Sequence, residues 1–185
     1  MATKIYIDQG HNPQNPNAGA EGNGYREQDL VYTIGVELAE ILQAEGYEVR
    51  LSRPTPETQL GTSTATSLAA RVSEANEWGA DYFISLHANA SSLAGASGSE
   101  ALVYNLNSAA AGLAADILQG LQETTGLPNR GVTQRQNLYV LRRTRMPAVL
   151  VELGFITNPT DAALMANSPQ LFALGVANGI TSYLS

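Results

Sequence analysis

The sequence predicts a single α/β domain over residues 1–185, with a twisted, mostly parallel sheet that helices cover on both faces. Two observations predict this class. Short apolar runs typical of strands alternate along the chain with segments whose apolar residues recur at helical spacing. Strands that alternate with helices form largely parallel sheets, because each connection then crosses one face of the sheet. The length of 185 residues and the hydrophobic content of 44% suit one domain with a sizeable core.

The first half of the chain contains three predicted strands and two predicted helices. Lys4–Asp8 is a β-type run, and residues 12–24 are rich in Asn, Pro and Gly, which is typical of a loop. Helical spacing predicts a helix over Arg26–Glu45, which Gly46 stops. The other elements are strands over Tyr47–Leu51 and Tyr82–Leu86, a Ser/Thr/Pro loop over residues 52–66, and a helix marked by Leu68, Val72 and Ala75 that ends at Trp78.

The second half continues the alternation. Ala and Leu at helical spacing predict a helix over roughly Ser108 to Thr125, and apolar spacing predicts a closing helix over Leu171–Leu184. The three predicted strands of this half are Glu100–Tyr104, Leu138–Leu141 and Ala148–Val151.

Composition and charge exclude several classes of partner and site. Ten basic and seventeen acidic residues give a net charge of −7, the wrong sign for binding phosphate backbones, so we expect no nucleic-acid partner. No apolar run approaches the ~18 residues that a membrane helix needs, so we expect no membrane partner. The residues after Met1 lack the features of a secretion signal, and we therefore expect synthesis in the cytoplasm. Without cysteine, any metal site must use histidine and carboxylate ligands.

Three polar residues follow or end predicted strands, where ligands bind in open α/β sheets. His11 lies three residues after the first strand, His87 directly follows Phe83–Leu86, and Glu152 ends the run that begins at Ala148. A single histidine in such a place is more often a hydrogen-bonded core residue than a metal ligand. These are the only two histidines of the chain, however, and both occupy strand ends.

Glu27 joins this set through helical spacing. It precedes Leu30, Val31 and Ile34 by three, four and seven residues, which places its carboxylate on the inward stripe of the helix's first turn. A favourable interaction with the helix dipole would also explain an acid there. Two histidines and one glutamate match the ligand set of catalytic zinc sites, although the compact HExxH motif is absent.

Glu152 has two interpretations. It lies between Val151 and Leu153, so its carboxylate either satisfies a neighbouring loop or acts as a general base whose pKa the apolar surroundings raise. The second interpretation requires that the zinc site exists.

Several motifs, taken together and in this order, resemble those of a known family. They are Ile5-Tyr6-Ile7-Asp8-Gln9-Gly10-His11, the later Glu27, Phe83-Ile84-Ser85-Leu86-His87-Ala88-Asn89-Ala90, Arg130-Gly131-Val132, Leu138-Tyr139-Val140-Leu141-Arg142, and Met146-Pro147-Ala148-Val149-Leu150-Val151-Glu152-Leu153-Gly154-Phe155-Ile156-Thr157-Asn158. The family is that of the zinc-dependent N-acetylmuramoyl-L-alanine amidases, type 3 class. The resemblance extends from about residue 4 to residue 184.

The resemblance implies a fold, a reaction and a site. The fold is a twisted, mostly parallel sheet of about six strands between helices. The substrate is peptidoglycan, cut at the amide between N-acetylmuramic acid and the L-alanine of the stem peptide. His11, Glu27 and His87 would bind zinc, which would activate the attacking water, and Glu152 would be the general base and then the general acid.

Substrate contacts are less well defined by the motifs. Asn89 and Arg142 are the candidates, whereas Arg53 and Glu100 also match family positions and are expected to be structural or supporting. Residues 1–129 carry a charge of −10 and residues 130–185 one of +3. The five arginines between Arg130 and Arg145 either meet carboxylates of the stem peptide or form a solvated edge, and the second is the more common case.

Departures from the family concern the loop beside the metal. The residues around His11 read Gln9-Gly10-His11-Asn12-Pro13, and Asn17 replaces an acidic residue of the next loop. The connection from Asn89 to Glu100 is too short for the inhibitory helix that some members carry. We therefore expect an open site and no protein activator. We also expect a monomer that acts on the cell wall, which it reaches by lysis, by another export route or as part of a longer secreted protein.

Two other functions remain open at this point. One is a non-catalytic module that binds peptidoglycan or sugar on the same fold, which zinc content and turnover would distinguish from the amidase. The other is a glycosidase with Glu27 and Glu152 as its carboxylate pair, which would need no metal.

Overall fold

The computed structural model describes residues 2–93 and 95–185, and Met1 and Ala94 lie outside the described residues. Eight strands and six helices follow one another in the described chain. In order they are β1 (Lys4–Gln9), β2 (Glu21–Gly22), β3 (Tyr25–Arg26), α1 (Glu27–Ala44), β4 (Glu48–Leu51), α2 (Thr64–Trp78), β5 (Tyr82–Asn89), β6 (Ser99–Val103), α3 (Ala109–Thr125), β7 (Asn129–Gln134), α4 (Tyr139–Arg143), β8 (Ala148–Phe155), α5 (Pro159–Asn167) and α6 (Pro169–Leu184).

Six of these strands form the main sheet in the order β4-β1-β5-β8-β6-β7. All neighbouring pairs are parallel except β6 and β8, which run antiparallel. The predicted α/β class, with about six strands and a mostly parallel sheet, is confirmed. The central position of β1, β5 and β8 decides where the polar residues of these strands meet.

Helices cover the two faces of the sheet unequally. The larger apolar cluster joins α1, α3 and α6 to side chains such as Ile7, Ile84 and Val151. The smaller cluster joins α2 and α4 to the opposite face, at residues such as Tyr6 and Phe83. Because side chains alternate along a strand, the same strands serve both clusters. We call the first face the closed face and the second the open face.

The predicted strand at Leu138–Leu141 is wrong. These residues begin the short helix α4, which buries Val140 and Leu141. A run of four apolar residues has no period long enough to separate a strand from one helical turn, so packing decides the outcome. Here the turn lies against α2 and β8.

Four elements were not predicted. The edge strand β7 has the sequence NRGVTQ, whose single apolar side chain, Val132, gives no apolar period. The helix α5 did leave a signal, since Asn158 accepts hydrogen bonds from the backbone N–H groups of Thr160 and Asp161 and a proline follows it. The other two are β2, within the predicted loop over residues 12–24, and β3, directly after that loop, which pair with each other through Glu21 and Arg26.

Two strands extend three or four residues beyond their predicted ends. Strand β5 extends to Asn89 and β8 to Phe155, so His87 and Glu152 lie inside strands and not after them. The described residues of the next connection, 90–93 and 95–98, form no helix. The expected independence of a protein activator stays a prediction. Within the described ranges, no helix is both long and apolar enough to cross a membrane.

Candidate metal centre and active site

The polar end of the open face is built by strand alternation. His87 and Glu152 are directly paired residues of the neighbouring strands β5 and β8. Strand β1 lies on the other side of β5, and His11 follows its last residue by two. These three side chains, far apart in sequence, therefore lie at one end of three adjacent strands.

Glu27 comes to the same place from the first residue of α1. Its side chain is buried, as the helical spacing predicts. The carboxylate accepts hydrogen bonds from the backbone N–H groups of Ala20, at 2.9 Å, and Ala88, at 3.0 Å. These two bonds fix the carboxylate between the loop before α1 and the end of β5.

The three predicted ligands converge. His11 Nε2 and His87 Nδ1 each lie 3.1 Å from Glu27 Oε1. One ligand atom from each residue lies within 4.8 Å of the others, and the two imidazole rings are 4.9 Å apart at an angle of 78°. The donor set of two imidazoles and one carboxylate fits zinc, which binds such sets with an open position for water.

Two glycines leave the space that this convergence requires. A Cβ on Gly10 would lie 2.5 Å from Cε1 of His87, and a Cβ on Gly19 would lie 2.9 Å from the Glu27 carboxylate and 3.0 Å from Cδ2 of His11. Any larger residue at either position would displace a ligand. His11 itself has a φ of 67°, in the left-handed region that residues with a Cβ rarely adopt.

Electrostatics favour a charged Glu27. Burial by itself raises the pKa of its carboxyl, but hydrogen bonds from His11 and His87 and the charge of these rings hold the pKa well below its ordinary value. Burial lowers the pKa of His87, yet the hydrogen bond and negative charge of Glu27 outweigh burial and raise it. The pair thus holds an ionised carboxylate ready to bind a cation.

Glu152 differs from Glu27 in both surroundings and ionisation. Burial raises the pKa of its carboxyl to about 7, opposed by the charge of His87 and assisted by the charges of Glu27 and Glu100. Its Oε2 is buried and has no hydrogen-bond partner among the described residues. A carboxyl group that is half-ionised near neutral pH and faces no protein donor can accept and return a proton.

The candidates for substrate contacts are placed less decisively. Asn89 donates from Nδ2 to Glu100 at 3.0 Å and accepts at Oδ1 from the backbone N–H of Ala90 at 2.9 Å. Both ends of its amide are thus engaged. Arg142 is exposed near the end of α4. Arg53 is buried and donates to the carbonyls of Gln28 and Pro56, in line with the expected structural part.

The five arginines lie on or just after two different elements, β7 and α4. All five are exposed. Arg130 lies over the ring of Phe155, with 5.0 Å between its Cζ and the ring centre. The backbone of Arg143 and Arg145 is bonded instead to the amide of Asn76 on α2. This dispersion favours the solvated-edge interpretation.

A small cavity of about 110 Å³ opens beside the histidines on the open face. Apolar side chains of Leu68, Tyr139 and Leu150 line much of it. Asn17, at the position where the motifs depart from the family, also lines it and donates to Ser67 Oγ at 3.1 Å. The departure therefore changes a side chain that borders the site.

A buried polar network beneath the site was missed by the sequence analysis. Asp8 and Arg71 form an ion pair of 2.6 Å, with exposures of 1% each. A signal existed, since Arg71 shares its helical stripe with Leu68 and Ala75, and an arginine on an inward stripe requires an acidic partner.

Comparison with known proteins decides the family. The family model described as N-acetylmuramoyl-L-alanine amidase matches residues 5–182. The chain belongs to this family. Membership confirms both the amidase family and the hydrolase class that the motifs predict.

Individual amidases agree with this assignment. The chain is similar to the N-acetylmuramoyl-L-alanine amidase CwlM of Bacillus licheniformis, with 36% identity over 96% of this chain and 67% of that protein. It is 35% identical to a sporulation-specific N-acetylmuramoyl-L-alanine amidase of Bacillus subtilis, over 96% of this chain and 66% of that one. The chain thus spans about two thirds of the length of these two relatives. The solved catalytic domain of CwlV, an N-acetylmuramoyl-L-alanine amidase from Bacillus (Paenibacillus) polymyxa, has a TM-score of 0.85 and 31% identity, with 98% of each chain covered.

Proposed function

We propose that this chain is a zinc-dependent peptidoglycan amidase that hydrolyses the amide between N-acetylmuramic acid and the L-alanine of the stem peptide. His11, Glu27 and His87 bind the zinc ion, and Glu152 is the general base and acid. The cell wall is the site of action. The observation that carries the proposal is the convergence of three ligand atoms within 4.8 Å beside the unpaired carboxylate of Glu152.

The residues present fit zinc in number and in type. Two neutral imidazole nitrogens and one carboxylate oxygen are a common catalytic set, which leaves a coordination position for water or substrate. Bound zinc would supply Lewis-acid polarisation of the amide carbonyl and a lower pKa for the attacking water. The backbone bonds from Ala20 and Ala88 hold Glu27 in place before any ion arrives, so little reorganisation is needed.

Glu152 moves the proton. Its ionised form takes a proton from the attacking water, and its protonated form then delivers that proton to the nitrogen of the departing L-alanine. A carboxyl with a pKa of about 7 can perform both transfers near neutral pH. Apolar residues Val151 and Leu153 flank it in sequence but point to the closed face, so the carboxylate lies on the open face beside His87.

The test is cleavage of purified peptidoglycan by the zinc-loaded protein, by the chelator-treated protein and by the treated protein after zinc is restored. New amino-terminal alanine is measured by labelling and mass spectrometry. We expect release by the first and third samples and none by the second. Glu152→Gln should release far less alanine than the wild type, while the remote surface variant Glu123→Gln should match the wild type.

Other outcomes would point to other functions. Release of reducing sugar ends that resists the chelator would indicate a glycosidase. A protein that binds one zinc ion and sediments with peptidoglycan, but releases no alanine, would be a binding module. Either result would overturn the proposed reaction.

A further inference from the structure

Arg71 lies in the interior of the protein, beneath the loop that carries His11. Its guanidinium lies closest to three acceptors of β1 and this loop, and makes longer bonds from Nη2 to Asn12 Oδ1 at 3.3 Å and from Nη1 to Ser52 Oγ at 3.4 Å. Nη1 donates to Asp8 Oδ1 at 2.6 Å and to the carbonyl oxygen of Gln9 at 2.7 Å. Nη2 donates to the carbonyl oxygen of His11 at 2.7 Å. The side chain of Arg71 thus holds the chain directly on both sides of Gly10.

Asp8 links this guanidinium to the second histidine strand. Its Oδ2 accepts a hydrogen bond from Ser85 Oγ at 2.7 Å. Ser85 precedes His87 by two residues, so both point to the open face of β5. The network Arg71–Asp8–Ser85 therefore connects β1 to β5 within three residues of the two histidines.

His11 depends on its backbone for orientation. A histidine that binds a metal is usually oriented by a hydrogen bond from its other ring nitrogen to a carboxylate or carbonyl. The Nδ1 of His11 is buried and has no hydrogen-bond partner among the described residues. Its backbone has a φ of 67°, a strained conformation that persists only where neighbouring groups hold it.

We propose that Arg71, held by Asp8, is a positioning residue that fixes the backbone of His11 and so preorganises its imidazole to bind zinc. This role rests on the proposed zinc-dependent function. A buried ion pair contributes little net stability, because the cost of desolvation offsets the attraction between its charges. The hydrogen bond to the His11 carbonyl gives the pair a role at the site.

Lysine is the informative replacement for Arg71. It keeps the positive charge opposite Asp8, but its single nitrogen cannot spread donors over the three acceptors as a planar guanidinium does. We expect Arg71→Lys to keep the fold and to lose the bond to the His11 carbonyl. Arg71→Met removes the charge as well, and should lower stability further.

The test measures zinc affinity by competition with a chromophoric chelator, at a temperature at which circular dichroism shows each variant folded. We expect Arg71→Lys to weaken zinc binding by about 10–100-fold. The matched control is Asp161→Asn. Asp161 is a buried carboxylate that accepts bonds from Ser97 Oγ and the N–H groups of Gly98 and Phe155, with no bond to β1. The Asp161→Asn substitution should lower the melting temperature and leave zinc affinity unchanged.

A milder variant covers the case in which Arg71 variants do not fold. Ser85→Ala removes only the hydroxyl that holds Asp8, and should weaken zinc binding by about fivefold. Wild-type affinity in a folded Arg71→Lys protein, or an equal loss of affinity in Asp161→Asn, would overturn the positioning role. Failure of the wild-type protein to bind zinc would instead overturn the proposed function, and this role with it.

Discussion

The closed and open faces of the sheet share the same strands but differ in chemistry. On β1, Ile5 and Ile7 point to the closed face, whereas Tyr6 and Asp8 point to the open face. The closed face is mainly apolar under α1, α3 and α6, and its buried Gln9 donates a hydrogen bond to the carbonyl oxygen of Tyr32 on α1. The open face is apolar only in its first half and becomes polar at Asp8 and His87. Because side chains alternate along a strand, residues next to each other in sequence point to the apolar core and to the candidate site in turn.

The difference shows how the fold accommodates buried polar groups. A helix over the whole open face would bury Glu152 and the histidines away from substrate. The helix α4 has only five residues, and its Tyr139 borders the cavity beside the histidines. Stability should therefore depend mainly on the closed face, and catalysis on the polar half of the open face.

The largest expected effect is on the open face. Glu152→Gln removes the group that accepts the proton and should lower turnover by about 10²–10⁴-fold, with zinc content unchanged. Turnover is measured as alanine release, and zinc by elemental analysis. Substantial residual turnover would show that another group moves the proton.

The pH dependence of stability should show that the ionised carboxylate of Glu152 destabilises the metal-free protein. The folded pKa of Glu152, about 7, exceeds the ordinary value of 4.5, so the folded state binds more protons between these values. Stability from this group is therefore present below pH 4.5 and lost as pH rises through 7, by about 3 kcal/mol. We expect urea unfolding of the metal-free protein to show this loss relative to Glu152→Gln. A difference that does not vary with pH would contradict the raised pKa.

Substitutions on the closed face should lower the stability of the protein and leave its turnover unchanged. Gly120 allows α3 and α6 to approach closely, since a Cβ there would lie 2.2 Å from the carbonyl oxygen of Gly175. Gly120→Ala should lower the free energy of unfolding by about 1–3 kcal/mol and leave turnover per folded molecule unchanged. The control is Gly112→Ala on the same helix, where the nearest atom belongs to the side chain of Tyr183. A loss of turnover in Gly120→Ala would show that the two faces are coupled.

The smallest effect is expected from the exposed arginines. Arg143→Glu should change the free energy of unfolding by less than about 0.5 kcal/mol and leave turnover on peptidoglycan unchanged. A clear loss of turnover that salt suppresses would instead show that the basic segment attracts the substrate.

Much of the site could be predicted from the sequence, because local patterns place each residue on its element. Helical spacing turned Glu27 inward, and the apolar runs before His87 and Glu152 placed both at the carboxyl ends of strands. Local patterns failed at Leu138–Leu141, where four apolar residues suit a strand or a helical turn equally well. They also failed at β7, whose polar side chains carry no apolar period.

The sequence by itself determined the α/β class, the alternation of the two faces and the identity of the four candidate site residues. Only the tertiary structure decided that His87 Nδ1 and Glu27 Oε1, from residues 60 apart in sequence, lie 3.1 Å from each other. It also decided that Arg71 donates a hydrogen bond to the backbone carbonyl oxygen of His11. The physical reason is that periodicity depends on neighbours within a few residues. Distances between strands depend on their order and register, which are fixed only when the whole sheet packs.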